Sequence, residues 1–194
     1  MDKIPVIVIV GPTASGKTAL SVELAKLYNG EIVSADSMQI YKGMDIATAK
    51  PTRDEKQGIP DHMMSCVEIN RSFSVADYVG EARAIIENIH SRGRLSIIVG
   101  GTGLYINSLI DNISFDDTAS NSSIRKRLLL EASEKGNAFL LDRLMKIDPD
   151  TACTLHENNL MRIIRALEVY EISGIKMSEQ KLLSRSKPSP YNPC

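Results

Sequence analysis

The sequence predicts an α/β fold in which helices flank a parallel sheet, and three observations support this prediction. Residues 5–10 and 95–99 are nearly continuous apolar runs rich in β-branched residues, which is typical of strands buried on both faces. Stretches with apolar residues at helical spacing separate these runs. Strands that alternate with helices favour a parallel sheet, because each connection must cross over one of its faces.

The first half of the chain continues this alternation. Leucines at helical spacing follow the first strand, and Ser74 with Asp77 forms a predicted capping box for a later helix. The elements predicted after the first strand are a helix from about Gly16 to Asn29, a strand at 31–34, a weaker strand at 63–69, a helix from Ser74 to Gly93, and the strand at 95–99.

The second half has only helical periodicity. We predict a polar loop at 116–123, helices at 124–135, 138–147 and 159–173, a helical turn after Asp148, and a proline-containing loop at 186–194. We therefore predict two regions, an α/β core at 1–115 and a helical insertion at 116–194.

Composition excludes several classes of protein. The net charge of −1 gives no overall basic field for nucleic acid or membranes, and no apolar run is long enough to span a bilayer. Three widely spaced cysteines fit neither a disulfide framework nor a zinc site, which predicts a reducing, cytoplasmic location.

A phosphate-binding loop follows the first strand. Its sequence, GPTASGKT, matches G-x-x-x-x-G-K-[ST] and lies between a predicted strand and a predicted helix. The loop consists of Gly11, Pro12, Thr13, Ala14, Ser15, Gly16, Lys17 and Thr18. Backbone amides would surround a phosphate, Lys17 would add a positive charge, and Thr18 would offer a hydroxyl to Mg²⁺. The motif predicts a P-loop NTPase-like core, with a nucleoside triphosphate as the default ligand.

Two further segments lie at the predicted carboxyl ends of strands, where ligands bind in open α/β sheets. Asp36 could be a Mg²⁺ ligand, a general base or only a helix cap, and Ser37 and Gln39 could hydrogen-bond a nucleobase edge. Glycines around Thr102 permit close approach of either a ligand or another part of the backbone.

The arginines in the second half of the chain can be interpreted in two ways. Arg162 and Arg165 share a helix face, and Arg125 lies at the start of an earlier predicted helix. They could form a solvated surface, or they could contact the phosphates of RNA.

Several motifs, in order, resemble the tRNA dimethylallyltransferases. They are GPTASGKT at 11–18, SADSMQIY at 34–41, KGMDIATAKP at 42–51 and IVGGTGLY at 98–105. The resemblance implies transfer of a dimethylallyl group from its diphosphate to N6 of the adenosine beside the anticodon of a tRNA. It also implies that the loop holds the donor's pyrophosphate rather than ATP.

The resemblance also implies roles for individual residues. Asp36 matches the general base, with Lys17, Thr18 and Mg²⁺ acting on the diphosphate. Contacts to the tRNA anticodon stem-loop are expected from Asp36, Ser37, Met38, Gln39, Thr102, Arg125, Met161, Arg162, Ile163, Ile164 and Arg165. Met161 departs from the family pattern, which usually has a polar residue there.

The family normally continues beyond residue 194 with another core strand and further helices. We therefore expect that this chain lacks the segment that returns to the core, which would leave residues 95–99 as an open sheet edge. Such an edge should cause self-association, and this chain should transfer little dimethylallyl group. The complete protein is expected to be a monomer. Two other functions remain open, a P-loop kinase for a nucleotide or small molecule, and an inactive domain that binds RNA or nucleotide.

Overall fold

The computed structural model describes residues 3–46, 48–115 and 121–194. The chain divides into two compact units, one comprising Met1–Ile113 with Pro188–Cys194 and the other Ser114–Lys187. The division after Ile113 lies close to the boundary predicted at 115, whereas residues 188–194 belong to the first unit rather than to the helical region. The predicted loop at 116–123 lies largely outside the described residues. Within them, no helix is long and apolar enough to cross a bilayer.

The first unit is a parallel sheet with helices on both faces, as predicted. Its elements are β1 (Ile4–Val10), α1 (Lys17–Leu27), β2 (Gly30–Ser34), α2 (Arg53–Lys56), β3 (Asp61–His62), α3 (Val75–Ser91), β4 (Leu95–Gly100), α4 (Gly103–Ile110) and β5 (Tyr191–Pro193). The strand order is β3-β2-β4-β1-β5, with every neighbouring pair parallel. Successive strand residues face opposite sides: Ile32 and Ile97 pack with α1, whereas Val33 and Ile98 pack with α3 and α4.

The last strand corrects the prediction of a loop at the end of the chain. Residues 186–194 are not all loop, because Tyr191–Pro193 pairs with β1, and Tyr191 is buried in the core. Residues 188–194 thus lie in the first unit and not in the helical region predicted at 116–194. Prolines pointed to a loop, but β5 is an edge strand, where proline is tolerated.

The predicted open edge at 95–99 is also wrong. β4 lies inside the sheet and pairs with β1 on one side and β2 on the other. The unpaired edges of the five-stranded sheet belong to β3 and β5. The predicted open edge at 95–99 therefore supports neither self-association nor the expectation of little transfer by this chain.

Three shorter predictions also change. The strand expected at 63–69 is replaced by β3 at Asp61–His62, because Met63 and Ser65 have positive φ angles that interrupt an extended chain. The helix α4 was not predicted, since the glycines before it suggested only a turn. A further helix, Met177–Ser184, follows the predicted helices of the second unit.

The second unit is helical, as predicted. Its elements are α5 (Ser122–Lys135), α6 (Asn137–Ile147), α7 (Pro149–Ala152), α8 (Leu160–Ser173) and α9 (Met177–Ser184). Apolar faces of α5, α6 and α8 form its core, in which Leu128, Leu144 and Leu167 are fully buried. The helical periodicity of the sequence therefore corresponds to real packing in this unit.

A buried carboxylate, Glu31, binds several cationic side chains where β2 begins, at the opposite end of the strand from Asp36. Glu31 accepts hydrogen bonds from Arg92 at 2.9 Å, Arg94 at 2.7 Å and His62 at 2.8 Å. The pKa of Glu31 is lowered to about 2. The hydrogen bond from the Arg92 guanidinium is the largest cause, and it outweighs burial, which acts to raise the pKa. A carboxylate with a depressed pKa stabilises the fold above its unfolded-state pKa, and this stabilisation is lost as the pH falls.

We expect the chain to lose about 3 kcal/mol of Glu31-dependent stability as the pH falls from about 4.5 to about 2. Urea unfolding measured across this window should show the loss in the wild type and a flatter pH dependence in Glu31→Gln. Glu23→Gln is the control, because that side chain is 67% exposed and should leave the wild-type slope unchanged. Equal slopes in the wild type and Glu31→Gln would contradict the assignment.

Candidate functional site

The phosphate loop connects β1 to α1. Ala14 and Gly16 have φ angles of 63° and 80°, and such left-handed residues turn successive amides toward one side of a loop. Gly16 is the N-cap of α1 and provides no side-chain cap, and the first turn contains no acidic residue. The amides that begin α1 therefore remain available for an anion.

Lys17 lies over this loop. Its Nζ donates to the carbonyl of Pro12 at 2.5 Å and lies 3.5 Å from Ser15 Oγ. These partners are exposed and belong to the loop itself. A bound phosphate could replace them as the partner of the Lys17 ammonium group without unpairing a buried group.

A cavity of about 300 Å³ joins the loop to the segment that follows β2. Its wall includes residues 13–18 of the loop, Asp36, Gln39, Ala49, Glu55, Val99 and Gly100. The structure thus brings together the predicted diphosphate-binding loop and the predicted general base in one cavity of the first unit.

Asp36 shapes the turn after β2. Its Oδ1 accepts from the backbone amides of Met38 at 2.9 Å and Gln39 at 3.2 Å. This is the capping role considered from the sequence, and it occupies one carboxylate oxygen. The other oxygen makes no hydrogen bond within the described part of the chain, which leaves it available for a proton or a ligand.

The segment that follows β4 holds this turn in place. Thr102 Oγ1 accepts from the Ser37 amide at 2.9 Å, and the Thr102 amide donates to the carbonyl of Ala35 at 3.1 Å. A Cβ on Gly100 would lie 2.1 Å from that same carbonyl oxygen. The glycine therefore permits close approach of another part of the backbone, which was one of the two alternatives left open by the sequence.

The side chains of Gln39 and Lys50 make hydrogen bonds that hold the segment after β2, and Gln39 also lines the cavity. Gln39 Nε2 donates to the carbonyls of Thr48 at 2.9 Å and Ala49 at 3.3 Å. The side chain of Lys50 is only 6% exposed, and it donates to Asp45 at 2.8 Å and Ser65 at 2.9 Å. Gln39 is thus fixed by the protein backbone through its amide nitrogen, and a base edge could reach only its remaining acceptor.

Sequence reasoning missed the burial of the Lys50 side chain and the position of Glu55 on the cavity wall. A single lysine in a polar segment gives no signal of burial. Glu55 had one available signal, since Thr52 and Glu55 are spaced as a capping box, and this box is present at the start of α2. The Thr52 amide lowers the pKa of Glu55, which keeps a carboxylate on the cavity wall.

The oxygen atoms that line the cavity could bind Mg²⁺ only together with the phosphates of a bound ligand. Thr18 and Asp36 provide hard oxygen atoms, but the described residues contain no group of three or more acidic, histidine or cysteine side chains that could hold a metal alone. Mg²⁺ usually binds through one or two protein oxygens together with substrate phosphates. The residues present fit that arrangement, with a diphosphate supplying the other ligands.

The second unit contains the other predicted RNA contacts, and the prediction is wrong for two side chains. Ile163 and Ile164 are 0% and 1% exposed and belong to the helical core, so they cannot reach RNA. On the same helix, Met161 is 59% exposed and Arg162 is also exposed. RNA contact by these two residues stays a prediction.

Arg125 and Arg165 share one buried partner, Glu168 of α8. Arg125 donates through Nε at 2.9 Å and Nη2 at 3.0 Å, and Arg165 donates through Nη1 at 2.9 Å. Burial acts to raise the pKa of Glu168, but the hydrogen bonds from both arginines outweigh it and hold the pKa below its usual value. Neither arginine belongs to a simple solvated face.

A strand, a glycine-rich phosphate loop and a helix in a parallel sheet define this chain as a P-loop protein of the α/β class. The IPP transferase family model matches residues 39–194, and the chain belongs to this family. The match begins after the phosphate loop and Asp36, and it extends through the second unit to β5.

Individual relatives agree with this assignment. A tRNA dimethylallyltransferase from Caldanaerobacter subterraneus subsp. tengcongensis is 51% identical over 191 residues, which are 98% of this chain and 61% of the relative. A eukaryotic dimethylallyltransferase, whose crystallographic snapshots show it acting on tRNA, matches with a TM-score of 0.81 and 35% identity, over 98% of this chain and 47% of that one. The full-length tRNA isopentenylpyrophosphate transferase from Bacillus halodurans matches with a TM-score of 0.61 and 44% identity, over 99% and 58%. The chain therefore spans less than two thirds of the length of these relatives.

Proposed function

We propose that the chain acts as a tRNA dimethylallyltransferase, binding dimethylallyl diphosphate and transferring its dimethylallyl group to N6 of the adenosine beside the anticodon. The observation that carries this proposal is the single cavity lined by both the phosphate loop and Asp36. The family of the chain and the names of its relatives favour the same chemistry over a P-loop kinase.

In the proposed reaction, the N6 amine of adenine attacks C1 of the dimethylallyl group. A C–N bond forms, the C1–O bond breaks, and its electron pair leaves with pyrophosphate. The amine is a weak nucleophile because the ring delocalises its lone pair. Asp36 accepts the proton that N6 loses, and such general-base assistance typically contributes about 10²–10⁴-fold in rate.

The phosphate loop acts on the other side of the reacting bond. Charge develops on the departing pyrophosphate, and Lys17 and the amides at the start of α1 stabilise it. Thr18 would hold Mg²⁺ together with the diphosphate oxygens, and the ion would supply further charge stabilisation. We also propose that the protein is cytoplasmic and monomeric.

Lys17→Ala tests the diphosphate site directly. Pyrophosphate or dimethylallyl diphosphate with Mg²⁺ should raise the melting temperature of the wild type, because binding at 100 times Kd stabilises a fold by about 2.7 kcal/mol. The same addition should produce no shift in Lys17→Ala. ATP should produce a smaller shift than dimethylallyl diphosphate.

Lys26→Ala is the matched control for that measurement. Lys26 lies on the same helix and pairs with Glu23 on its exposed surface, so its removal should leave the diphosphate shift intact. A shift that survives in Lys17→Ala would place the phosphate site elsewhere. A larger shift with ATP would support the kinase alternative instead.

A further inference from the structure

Glu168 is a buried carboxylate that organises three partners in the second unit. It is 0% exposed, and besides Arg125 and Arg165 it accepts from the backbone amide of Asn121 at 2.8 Å. Asn121 is the N-cap of α5, so Glu168 joins the start of this helix to α8. A buried carboxylate needs all of these partners, because an unpaired charge in the interior is strongly destabilising.

The two arginines are held at the surface rather than enclosed. Their side chains are 38% and 37% exposed, although the carboxylate that holds them is fully buried. Arg125 uses Nε and Nη2 for Glu168, and its Nη1 makes no hydrogen bond within the described residues. Both guanidinium groups therefore reach the exposed surface of the cluster, whereas the carboxylate that holds them does not.

This arrangement lowers the cost of binding an anion. A free arginine side chain samples many rotamers and loses conformational entropy when it is fixed. Arg125 is already fixed in one plane by two parallel hydrogen bonds, which also restrict the direction of its remaining donors. Such preorganised groups bind a phosphate without paying that ordering cost again.

We propose that Glu168 is a positioning residue, which holds the guanidinium groups of Arg125 and Arg165 at a fixed spacing and orientation for phosphates of the RNA substrate. This inference rests on the proposed function, which supplies the RNA. It distinguishes Glu168 from a carboxylate that only neutralises two arginines. The proposal also gives a physical role to the position of Glu168, which lies three residues after Arg165 on α8.

The proposal predicts an effect whose sign is opposite to that of simple electrostatics. Glu168→Gln removes a negative charge beside two arginines, and charge alone would then tighten the binding of RNA. If Glu168 positions the arginines, the same change should weaken binding by about tenfold, which is within the range of coupling between neighbouring groups. Fluorescence anisotropy with an anticodon stem-loop RNA measures this affinity.

Glu171→Gln is the matched control. Glu171 lies on the same helix and also holds two arginines, Arg127 and Arg143, but neither is a predicted RNA contact. It makes the same change in charge, so unchanged or tighter RNA binding is expected. Each variant is measured below its melting temperature, after circular dichroism has shown that it is folded.

Glu168→Asp keeps the test decisive if Glu168→Gln does not fold. Aspartate retains the charge and shortens the side chain by one methylene group, so electrostatics alone predicts unchanged affinity. Positioning predicts weaker binding here too. A double-mutant cycle adds a measurement that does not depend on changes in stability. Arg125→Ala should weaken RNA binding by about tenfold in the wild type, and by much less in a protein in which residue 168 is already changed.

Wild-type affinity in folded Glu168→Gln or Glu168→Asp, together with additive effects in the cycle, would overturn the positioning role. Failure of the proposed function has a different result. In that case the wild type itself binds the stem-loop RNA no better than a duplex of equal charge, and the inference about Glu168 fails with it.

Discussion

Replacing Asp36 with asparagine is expected to lower the rate of dimethylallyl transfer by about 10²-fold or more while leaving diphosphate binding unchanged. Asparagine keeps a side-chain oxygen that can accept from the amides of Met38 and Gln39, so the turn after β2 should persist. It cannot accept the proton from N6. Single-turnover transfer to tRNA, with the protein in excess, measures the rate even when it is slow.

This substitution separates the two roles of Asp36. Asparagine caps turns and helices about as well as aspartate, so a residue that only caps would show equal transfer in both proteins. Equal transfer would therefore return Asp36 to a structural role. Asp54→Asn is the control, because Asp54 is exposed on α2 and should leave the rate unchanged. If the wild type binds the donor but transfers no dimethylallyl group, the result would favour the alternative of an inactive domain that binds RNA or nucleotide.

Replacing Gly100 with alanine is expected to destabilise the first unit by about 3 kcal/mol or more, near the upper end of overpacking effects. The added Cβ would lie 2.1 Å from the carbonyl oxygen of Ala35 and 2.4 Å from its carbonyl carbon. These are backbone atoms, so no flexible side chain can move aside. Urea unfolding of the variant measures the loss.

The same substitution should also disturb the candidate active site. Ala35 precedes Asp36, and its carbonyl accepts from the amide of Thr102, so displacement of one segment separates it from the other. Gly103→Ala is the matched control at the start of α4. Within the described residues, no atom beyond its own helical backbone and chain neighbours lies within 4 Å of the new Cβ, and alanine favours a helix by up to about 1 kcal/mol relative to glycine. A Gly100→Ala protein as stable as Gly103→Ala would contradict the close approach of the two segments.

The candidate site was predictable where local sequence dictates local geometry. GPTASGKT requires glycines and a helix start at fixed spacing, and the structure has the loop and α1 where that spacing predicts them. The position of Asp36 followed from a second rule, since the carboxyl ends of parallel strands lie at one edge of the sheet. Both residues consequently line one cavity.

The arginines show the limit of this reasoning. Helical spacing placed Arg162 and Arg165 on one face, but it could not reveal that Arg165 and Arg125 share Glu168. Their separation along the chain is bridged only when α5 and α8 pack together. The same packing buries Ile163 and Ile164, which a match of motifs alone had assigned to RNA contact.

The sequence by itself determined the fold class, the phosphate loop, the helical nature of the second unit and the residues at the ends of the strands. These depend on periodicity and on glycine spacing, which are local properties. Only the tertiary structure decided that β4 is central, that Tyr191–Pro193 pairs with β1, and that Gly100 accommodates Ala35. Strand order and close backbone contacts depend on which distant segments meet, and that outcome reflects the packing of the whole unit rather than the preference of any single segment.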